Sequence, residues 1–525
     1  MPENRKKLTF RDVKGFFSSL SVKERCGIAA RSFLFLFCSV LISLRFKEFG
    51  VDDDEFCFSI IVLFGFSFLL SPSFFIILYL PFLALLFLDF HLFRTYGLSV
   101  SSFGPQIFAV LLDTNKAEVL EYMTRISLFE WMLLTTVFVA LTSAFFYKRK
   151  ATILPEKQRM LVLFVLCVLY PFTYTAHFYP LVRSVSASKN NESLAKSKMF
   201  RFNPAKDKTK ADTVVVLIGE SHRQSEFAPV FDRYADKFQT LYRFSDMISP
   251  FHGTLNAVPM ILSRKKVTDE QNFFYERSLF SLFREAGYET YFLHYIEMYT
   301  ESHLSFIYRE AGRFIKYAGK ITPTTDEGIL PVLNDILTDK NQKKLIVIKM
   351  IGAHVNFVSR YPDPETSAFR RLMTELKPKT KEREMFHYKK AIAYSAGIIE
   401  KIMETVEKRP EPSLLLFSSD HGICIFDKGF FHLPATCRNA FHIPAMILLN
   451  PALSAATSQQ AKDNLSCNQD KPLTEEYDFE TIASLAGISY PSADARYDLT
   501  KRCFYPDGKK RRIFVGEEKT FYEDL

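Results

Sequence analysis

The chain has 525 residues, of which 24% are charged, and its formal net charge is +9. This length exceeds what one hydrophobic core usually organises, so two or more domains are expected. The basic residues are concentrated in segments 1–25, 148–159 and 184–210, where membrane topology explains them, and no nucleic-acid motif or partner is indicated.

The first half of the chain contains nearly all the long apolar runs. Residues 1–25 carry seven basic side chains and no such run, so they are predicted to be a cytoplasmic segment. Residues 26–180 are predicted to form an α-helical membrane domain, because apolar runs of about 20 residues match the thickness of a bilayer. The five predicted spans are about 26–45, 56–71, 73–93, 127–147 and 160–179.

Charge and turn signals set the predicted topology of these spans. The apolar stretch 56–93 is about twice the length of one crossing and contains Pro72, which favours a helical hairpin over one long tilted span. The basic loop 148–159 is predicted to be cytoplasmic by the positive-inside rule. The segment Thr114–Met123 is predicted to be a short amphipathic helix at the outer interface. Everything after residue 180 is then predicted to lie outside the cytoplasm, which in a bacterium is the periplasm.

The second half is predicted to be a linker, residues 181–210, followed by an α/β domain, residues 211–525. Short apolar runs alternate there with polar helical stretches, which favours one central, mainly parallel sheet flanked by helices. The first run begins at Thr213 and is ended by Gly219. The further predicted elements are the strands Thr290–Tyr295, Leu345–Met350, Ser413–Ser418 and Ala445–Leu449 and the helix Tyr388–Thr405.

Residues that can bind a metal follow two of the predicted strands. Glu220 comes directly after the first strand, at the carboxyl end where open α/β sheets place their ligands. Asp420 and His421 follow the strand Ser413–Ser418, and they offer an oxygen and an imidazole, ligand types that suit zinc or manganese. Each position alone is also compatible with a structural turn. Together, Glu220, Asp420 and His421 would complete most of a metal site.

Two histidines and a threonine extend this hypothesis. His354 follows the strand Leu345–Met350, and His432 follows His421, so both are expected near the same edge, although a lone histidine is as often structural. Thr254 is expected to be the N-cap of a short helix. A helix amino terminus and a divalent cation would both stabilise its alkoxide, which makes Thr254 the candidate nucleophile.

The motifs occur in a fixed order along the chain. They are Gly219-Glu220-Ser221-x-Arg223, Gly253-Thr254 with Val258-Pro259-Met260, Gly352-x-His354 with Arg360-Tyr361-Pro362, and Ser419-Asp420-His421-Gly422. With the five predicted spans and the segment 113–118, this set resembles the bacterial phosphoethanolamine transferases of the alkaline-phosphatase and sulfatase superfamily. The resemblance covers nearly the whole chain and implies an alkaline-phosphatase-like α/β domain. The zinc ligands it implies are Glu220, Thr254, Asp420 and His421.

The resemblance also implies a reaction and its partners. Thr254 would attack the phosphorus of phosphatidylethanolamine, release diacylglycerol and pass phosphoethanolamine to lipid A, a lipopolysaccharide core or another glycan. One zinc ion is implied, or two, in a monomer of the bacterial inner membrane with its catalytic domain in the periplasm. The candidate contacts to the substrate or to a second zinc are His354, His432, Lys349 and Asn256. Lys349 departs from the family, which often has histidine at that position, and His252 stands where cysteine is common.

Other functions stay open at this point. A glycerophosphotransferase of the lipoteichoic-acid-synthase type would share the same scaffold. A sulfatase would need a Cys/Ser-x-Pro-x-Arg context for its modified nucleophile, and the residues around Thr254 do not provide it. A catalytically silent, membrane-anchored binding protein is the alternative from another class.

The cysteines of the second half predict disulfides without fixing their pairing. Four of them fall after residue 210, namely Cys424, Cys437, Cys467 and Cys503. One or two disulfides are expected in an oxidising compartment, and four cysteines allow three connectivities. A zinc site built from these cysteines is disfavoured, because none of them forms a Cys-x-x-Cys pair.

Overall fold

The computed structural model describes most of the chain after residue 200. The described ranges are 201–205, 209–267, 278–295, 305–317, 325–339, 342–362, 380–427, 431–432, 437–504, 510–515 and 518–525, together with eight helical residues between 29 and 136. Apart from those eight residues, the five predicted spans and the segment Thr114–Met123 lie outside this description. Among the described residues, no helix combines the length and the apolar character that a membrane crossing requires.

The chain divides into two compact units. The first consists of Met1–Pro105 and Ile126–Arg183, and the second consists of Gln106–Arg125 and Ser184–Leu525. The described residues of the first unit are helical, and in it Thr136 Oγ1 donates a hydrogen bond to the carbonyl oxygen of Met132 at 2.8 Å. The domain boundaries predicted from the sequence stay predictions. All elements described below belong to the second unit.

An eight-stranded sheet forms the centre of the second unit, with the spatial order β10-β2-β9-β6-β1-β5-β3-β4. The pairs β7–β8 and β11–β12 form separate two-stranded sheets. The strands in chain order are β1 (Thr213–Gly219), β2 (Leu241–Ile248), β3 (Glu289–His294), β4 (Arg313–Lys316), β5 (Lys344–Lys349), β6 (Ser413–Ser419), β7 (Cys424–Ile425), β8 (Phe431–His432), β9 (His442–Leu449), β10 (Leu473–Thr474), β11 (Arg512–Val515) and β12 (Glu518–Phe521).

The predicted mainly parallel sheet is confirmed. Among the described strands of the central sheet, β9 alone runs against its neighbours, because it pairs antiparallel with β2 and β6. The sequence placed its start at Ala445, three residues late, since Pro444 interrupts the run. Pro444 lies opposite an irregularity in β2 between Phe244 and Met247, where a missing backbone N–H costs no regular ladder bond.

Helices cover both faces of the sheet. Alternate residues of β1 belong to two different hydrophobic cores: Val214 and Val216 pack in one, Val215 and Leu217 in the other. This alternation follows from the two-residue period of a strand and explains why the whole run is apolar. The helices are α1 (Gln224–Ala235), α2 (Thr254–Leu262), α3 (Leu279–Glu285), α4 (Ser305–Tyr308), α5 (Ile329–Thr338), α6 (Lys381–Glu407), α7 (Pro451–Ala456), α8 (Gln459–Asn468) and α9 (Asp478–Leu485).

Three neighbouring parallel strands bring the candidate site residues to one edge. The central strand β1 pairs with β6 on one side and with β5 on the other, and all three run in the same direction. Gly219 is in register with Ser419, and Ile218 is in register with Lys349. Glu220, Asp420 and Lys349 therefore meet at the carboxyl edge of the sheet, although they are far apart in the sequence.

A buried carboxylate fixes the loop that follows β5. Asp326, which is 2% exposed, accepts hydrogen bonds from the backbone N–H groups of Ile351 and Gly352, both at 2.9 Å, and from the Tyr317 hydroxyl at 2.8 Å. Gly352 has a φ of +54°, and a Cβ there would lie 2.8 Å from the carbonyl oxygen of Glu220. The loop can therefore approach the site this closely only with glycine at that position.

Replacement of Asp326 by alanine should destabilise the protein. The substitution leaves two buried backbone N–H groups without their acceptor and leaves the Tyr317 hydroxyl with only the carbonyl oxygen of Lys349, so we expect the free energy of unfolding to fall by about 2–4 kcal/mol. Urea denaturation of the purified protein measures this change. The control is Asp335→Ala, an exposed carboxylate on α5, which should change the value by less than about 0.5 kcal/mol. Equal effects of the two substitutions would contradict the role given to Asp326.

Candidate metal centre and nucleophile

The structure brings four of the predicted site residues together around one hydroxyl group. The Thr254 Oγ1 atom lies 3.0 Å from Glu220 Oε2, 2.8 Å from Asp420 Oδ2 and 3.3 Å from His421 Nε2. Glu220, Asp420 and His421 are each less than 5% exposed. Two carboxylates, an imidazole and a hydroxyl thus converge in a space that is largely shielded from water.

These residues fit a divalent cation. One ligand atom each from Glu220, Asp420 and His421 lies within 4.8 Å of the others, a spacing that one ion can bridge. The His421 Nδ1 atom donates a hydrogen bond to the carbonyl oxygen of Gly422 at 2.6 Å, which leaves Nε2, the nitrogen that faces Thr254, as the atom that can bind a metal. Mixed oxygen and imidazole ligands of this kind suit zinc.

The backbone places Thr254 at the start of a helix but not at its cap. Helix α2 begins at Thr254, and its N-cap is Gly253, which has an extended conformation with φ −147° and ψ 141°. The prediction that Thr254 is the N-cap was therefore wrong by one residue. As a result the hydroxyl does not cap its own helix and is available to the carboxylates, while it still lies at the positive end of the helix dipole.

The loop before Thr254 is held by the carboxyl-terminal hairpin β11–β12. The backbone N–H of Phe514 donates to the carbonyl oxygen of Pro250 at 2.9 Å, and the ring of Phe514 stacks on Phe251 at 4.8 Å between centroids. His252 Nδ1 lies 3.3 Å from the carbonyl oxygen of Phe514. The loop that carries Thr254 is thus held in place by contacts with β11.

Lys349 lies against the same two carboxylates. Its Nζ atom donates to Glu220 Oε2 at 2.7 Å, to Asp420 Oδ2 at 2.9 Å and to the carbonyl oxygen of Gly219 at 3.0 Å. Burial alone would lower the pKa of Lys349, but the charges of Asp420 and Glu220 raise it above its ordinary value. The two carboxylates thus favour the charged form of the Lys349 side chain.

The two carboxylates respond differently to this environment. Burial would raise the pKa of Glu220, but the charges of Lys349, His421 and His354 together outweigh burial and hold the pKa well below its ordinary value. Burial raises the pKa of Asp420, and the neighbouring charge of Glu220 raises it further. A carboxylate pair of this kind favours a bound cation, because each negative charge is expensive to bury beside the other.

Ser221 orients both carboxylates from an unusual backbone conformation. Its φ is +59°, in the left-handed region that residues other than glycine seldom adopt. Its hydroxyl donates to Glu220 Oε1 at 2.7 Å, and its backbone N–H donates to Asp420 Oδ1 at 3.2 Å. The Tyr388 hydroxyl in turn donates to the carbonyl oxygen of Ser221 at 2.8 Å. The sequence offers no signal for the contact of Tyr388, which lies far away along the chain on α6.

His222 and Arg223, which follow Ser221, have structural contacts. His222 is fully buried, its Nε2 lies 2.8 Å from the Ser395 hydroxyl, and burial lowers its pKa to about 3, so the imidazole is neutral. Arg223 Nε donates to the carbonyl oxygen of Ile423 at 2.6 Å, and its guanidinium pairs with Asp427. Both residues hold the turn that carries Glu220.

Three further residues, His354, His432 and Asn256, were predicted to contact the substrate or a second zinc ion. His354 is partly buried in the loop after β5, and its charge is among the influences that lower the pKa of Glu220. His432 is the last residue of β8, where its backbone pairs with Cys424, and its side chain lies outside the described part. Asn256 is partly exposed in the first turn of α2. The roles of these three residues stay predictions.

The four cysteines of the second half form two disulfides. Cys424 is joined to Cys437, and Cys467 is joined to Cys503. Cys424 belongs to β7, which follows Asp420 and His421, and this first bridge packs in a small hydrophobic cluster with Phe441 and Ile513. The structure thereby selects one of the three connectivities that the sequence left open.

Several curated proteins to which the chain is similar are named as phosphoethanolamine transferases. The phosphoethanolamine transferase EptC of Escherichia coli strain K12 is 19% identical over 472 residues, which cover 79% of this chain and 80% of that protein. The Kdo(2)-lipid A phosphoethanolamine 7''-transferase of the same strain is 22% identical over 369 residues, which cover 63% of this chain and 61% of that protein.

Solved structures and a family match agree on the fold. The integral membrane protein lipooligosaccharide phosphoethanolamine transferase A of Neisseria meningitidis matches with a TM-score of 0.65 at 16% identity, over 91% of this chain and 99% of that one. The periplasmic domain of EptC from Escherichia coli, in complex with zinc, matches with a TM-score of 0.53 at 18% identity, over 62% and 96%. Residues 212–488, more than half of the chain, match the family described as Sulfatase. The chain is therefore a member of the sulfatase family, within the alkaline-phosphatase and sulfatase superfamily, and is similar to its phosphoethanolamine transferases.

Proposed function

We propose that the chain transfers phosphoethanolamine from phosphatidylethanolamine to lipid A, a lipopolysaccharide core or another glycan, with Thr254 as the nucleophile. The observation that carries this proposal is the Thr254 hydroxyl, which lies within 3.3 Å of two buried carboxylates and an imidazole at the start of α2. The names of the relatives support the transferred group, and one relative is named for lipid A as its acceptor.

Glu220, Asp420, His421 and Thr254 would hold one zinc ion. When bound, such a cation lowers the pKa of a hydroxyl group and screens negative charge on phosphate oxygens. The fit of the ligand set and the zinc complex of the EptC periplasmic domain support this choice of metal. His354, His432 and Asn256 are proposed to contact the phosphate of the substrate or a second ion.

Thr254 carries the group through two displacements. In the first, its Oγ1 forms a bond to the phosphorus, the bond from phosphorus to the diacylglycerol oxygen breaks, and the hydroxyl proton passes to Asp420, which is 2.8 Å away. The departing oxygen takes up a proton, for which His354 is the proposed donor. In the second displacement, a hydroxyl oxygen of the acceptor forms a bond to the phosphorus and the bond from phosphorus to Thr254 Oγ1 breaks. The proton held by Asp420 returns to Oγ1, and the acceptor's proton passes to His354. The amino terminus of α2 stabilises negative charge on Oγ1 during both steps.

We also propose a membrane setting for this reaction. Residues 26–180 would form the five predicted spans, residues 181–210 a linker and residues 211–525 the periplasmic catalytic domain of an inner-membrane protein. The likeness to an integral membrane transferase supports this arrangement, and the two disulfides are consistent with an oxidising compartment. Because donor and acceptor are both amphiphiles, a catalytic domain anchored in the membrane would meet them by diffusion along the membrane surface and not through the bulk solution.

The covalent intermediate provides the first test of the proposed function. After incubation with phosphatidylethanolamine vesicles, the purified full-length protein should gain one phosphoethanolamine group, and peptide mapping should place it on Thr254. Thr254→Ala removes the only proposed nucleophile, so it should gain no group and lose more than about 99% of transfer activity. Intact-protein mass spectrometry measures both outcomes.

Two comparisons make this test decisive. Thr254→Ser is the matched control, because it keeps a hydroxyl at the same place and should still form the adduct. A glycerophosphate adduct formed from phosphatidylglycerol, with none from phosphatidylethanolamine, would establish the glycerophosphotransferase alternative. Full transfer activity in Thr254→Ala would refute the mechanism, and a complete lack of adduct with either lipid would favour a silent binding protein.

The metal centre provides the second test. Asp420→Asn removes a charged ligand, so we expect zinc affinity to fall by about 100-fold or more and the adduct on Thr254 to disappear. Chelation of the wild-type protein should abolish adduct formation, and added zinc should restore it. Elemental analysis after dialysis measures the bound zinc. Asp463→Asn, which changes an exposed carboxylate on α8, is the control and should retain wild-type zinc content; equal retention by Asp420→Asn would argue against the proposed ligands.

A further inference from the structure

Lys349 has no donor left for a substrate. An ammonium group offers three N–H donors, and those of Lys349 are matched by Gly219, Glu220 and Asp420 at 2.7–3.0 Å. The side chain is 1% exposed. Its position therefore suits an effect on the two carboxylates and not a direct contact with the transferred group.

Lys349 and the nucleophile share the same two oxygen atoms. Glu220 Oε2 lies 2.7 Å from Lys349 Nζ and 3.0 Å from Thr254 Oγ1. Asp420 Oδ2 lies 2.9 Å from Lys349 Nζ and 2.8 Å from Thr254 Oγ1. The ammonium is thus fixed directly beside the atoms that would ligate a metal ion.

This arrangement sets the charge of the metal centre. With both carboxylates ionised, as they would be around a bound metal ion, Glu220, Asp420 and the Lys349 ammonium carry a single net negative charge. A divalent cation bound there makes the centre positive, which favours a phosphate diester and an oxyanion on Thr254. Without the ammonium, the two carboxylates would cancel the charge of the ion.

We propose that Lys349 is a built-in cation that takes the place of a second metal ion, so that the chain binds a single divalent cation and keeps that centre positively charged. The inference rests on the metal centre of the proposed function and deepens it, because it assigns the source of the second positive charge. Lys349 is on this view a positioning residue that acts on substrate through Glu220 and Asp420.

A structural role and the proposed role predict opposite changes in metal affinity. If Lys349 only holds the carboxylates in place, its removal disorders the ligands and weakens metal binding. If Lys349 acts through its charge, its removal frees two negative oxygens for the ion and strengthens metal binding, while the centre loses its attraction for the phosphate. The sign of the change therefore separates the two roles.

The test is a Co²⁺ titration of the metal-free, full-length protein, followed by absorption spectroscopy with a competing chelator. We expect one Co²⁺ per wild-type chain. In Lys349→Met, Co²⁺ should bind about tenfold more tightly or better, whereas phosphorylation of Thr254 should slow by about tenfold or more. The matched control is Lys344→Met, because Lys344 is equally buried on β5 but donates to the carbonyl oxygens of Asp339 and Gln342. This control substitution should leave the Co²⁺ affinity and the rate of the reaction at Thr254 unchanged.

Each result decides the proposal. Two Co²⁺ ions per wild-type chain would overturn it, and so would unchanged or weaker binding in a folded Lys349→Met protein. If that variant does not fold, Lys349→Gln keeps donors without the charge and should show the same tightening. Unchanged affinity together with normal lipid transfer refutes this inference alone. If Lys349→Met binds Co²⁺ more tightly but the wild-type protein transfers nothing from phosphatidylethanolamine, the inference about Lys349 stands and the proposed donor is refuted. If the wild-type protein binds no Co²⁺, the inference and the proposed metal centre are both refuted.

Discussion

Two carboxylates buried against one hydroxyl are the constraint on which this site depends. Glu220 and Asp420 lie 3.0 and 2.8 Å from Thr254 Oγ1, and like charges so close together are strongly unfavourable away from water. The negative charge of the two carboxylates has to be balanced by positive groups that the fold holds beside them. Lys349 provides part of it from the neighbouring strand, and the carboxylates remain suited to a cation. The three strands β6, β1 and β5 supply these charges from adjacent carboxyl ends.

The same constraint explains the unusual backbone around the site. Ser221 adopts a left-handed conformation, and from there its hydroxyl and its N–H reach one carboxylate each. Gly352 lets the loop after β5 approach the Glu220 carbonyl oxygen, and Asp326 holds that loop by its N–H groups. Strained or glycine-dependent turns persist only where the surroundings over-determine them. Here the unusual backbone conformations, at Ser221 and Gly352, lie in the turns next to Glu220 and Asp420.

The local sequence pattern predicted the strands that carry the site, because each of these strands is an apolar run followed directly by polar residues. Since neighbouring parallel strands end at the same edge of a sheet, Glu220 and Asp420 were expected to meet there. Strand β2 was missed, since Arg243, Ser245 and Asp246 interrupt its apolar residues. The contributions of Asp326 and Tyr388 had no sequence signal, because each acts on a backbone group far away along the chain. The ligand and nucleophile roles still rest on residue types and the family resemblance, to which the structure adds proximity.

The strand order has a consequence for how the chain folds. Strand β1 lies in the middle of the sheet, yet its two partners begin only at Lys344 and Ser413. While the chain is being made, both edges of this valine-rich strand stay unpaired until those distant segments arrive, and such non-local pairing is slow and prone to aggregation. Binding of a metal ion at the proposed site, at the ends of β1 and β6, would require that the central pairing is already complete. If the proposed site binds a metal ion, uptake would therefore be a late event that follows completion of the central sheet.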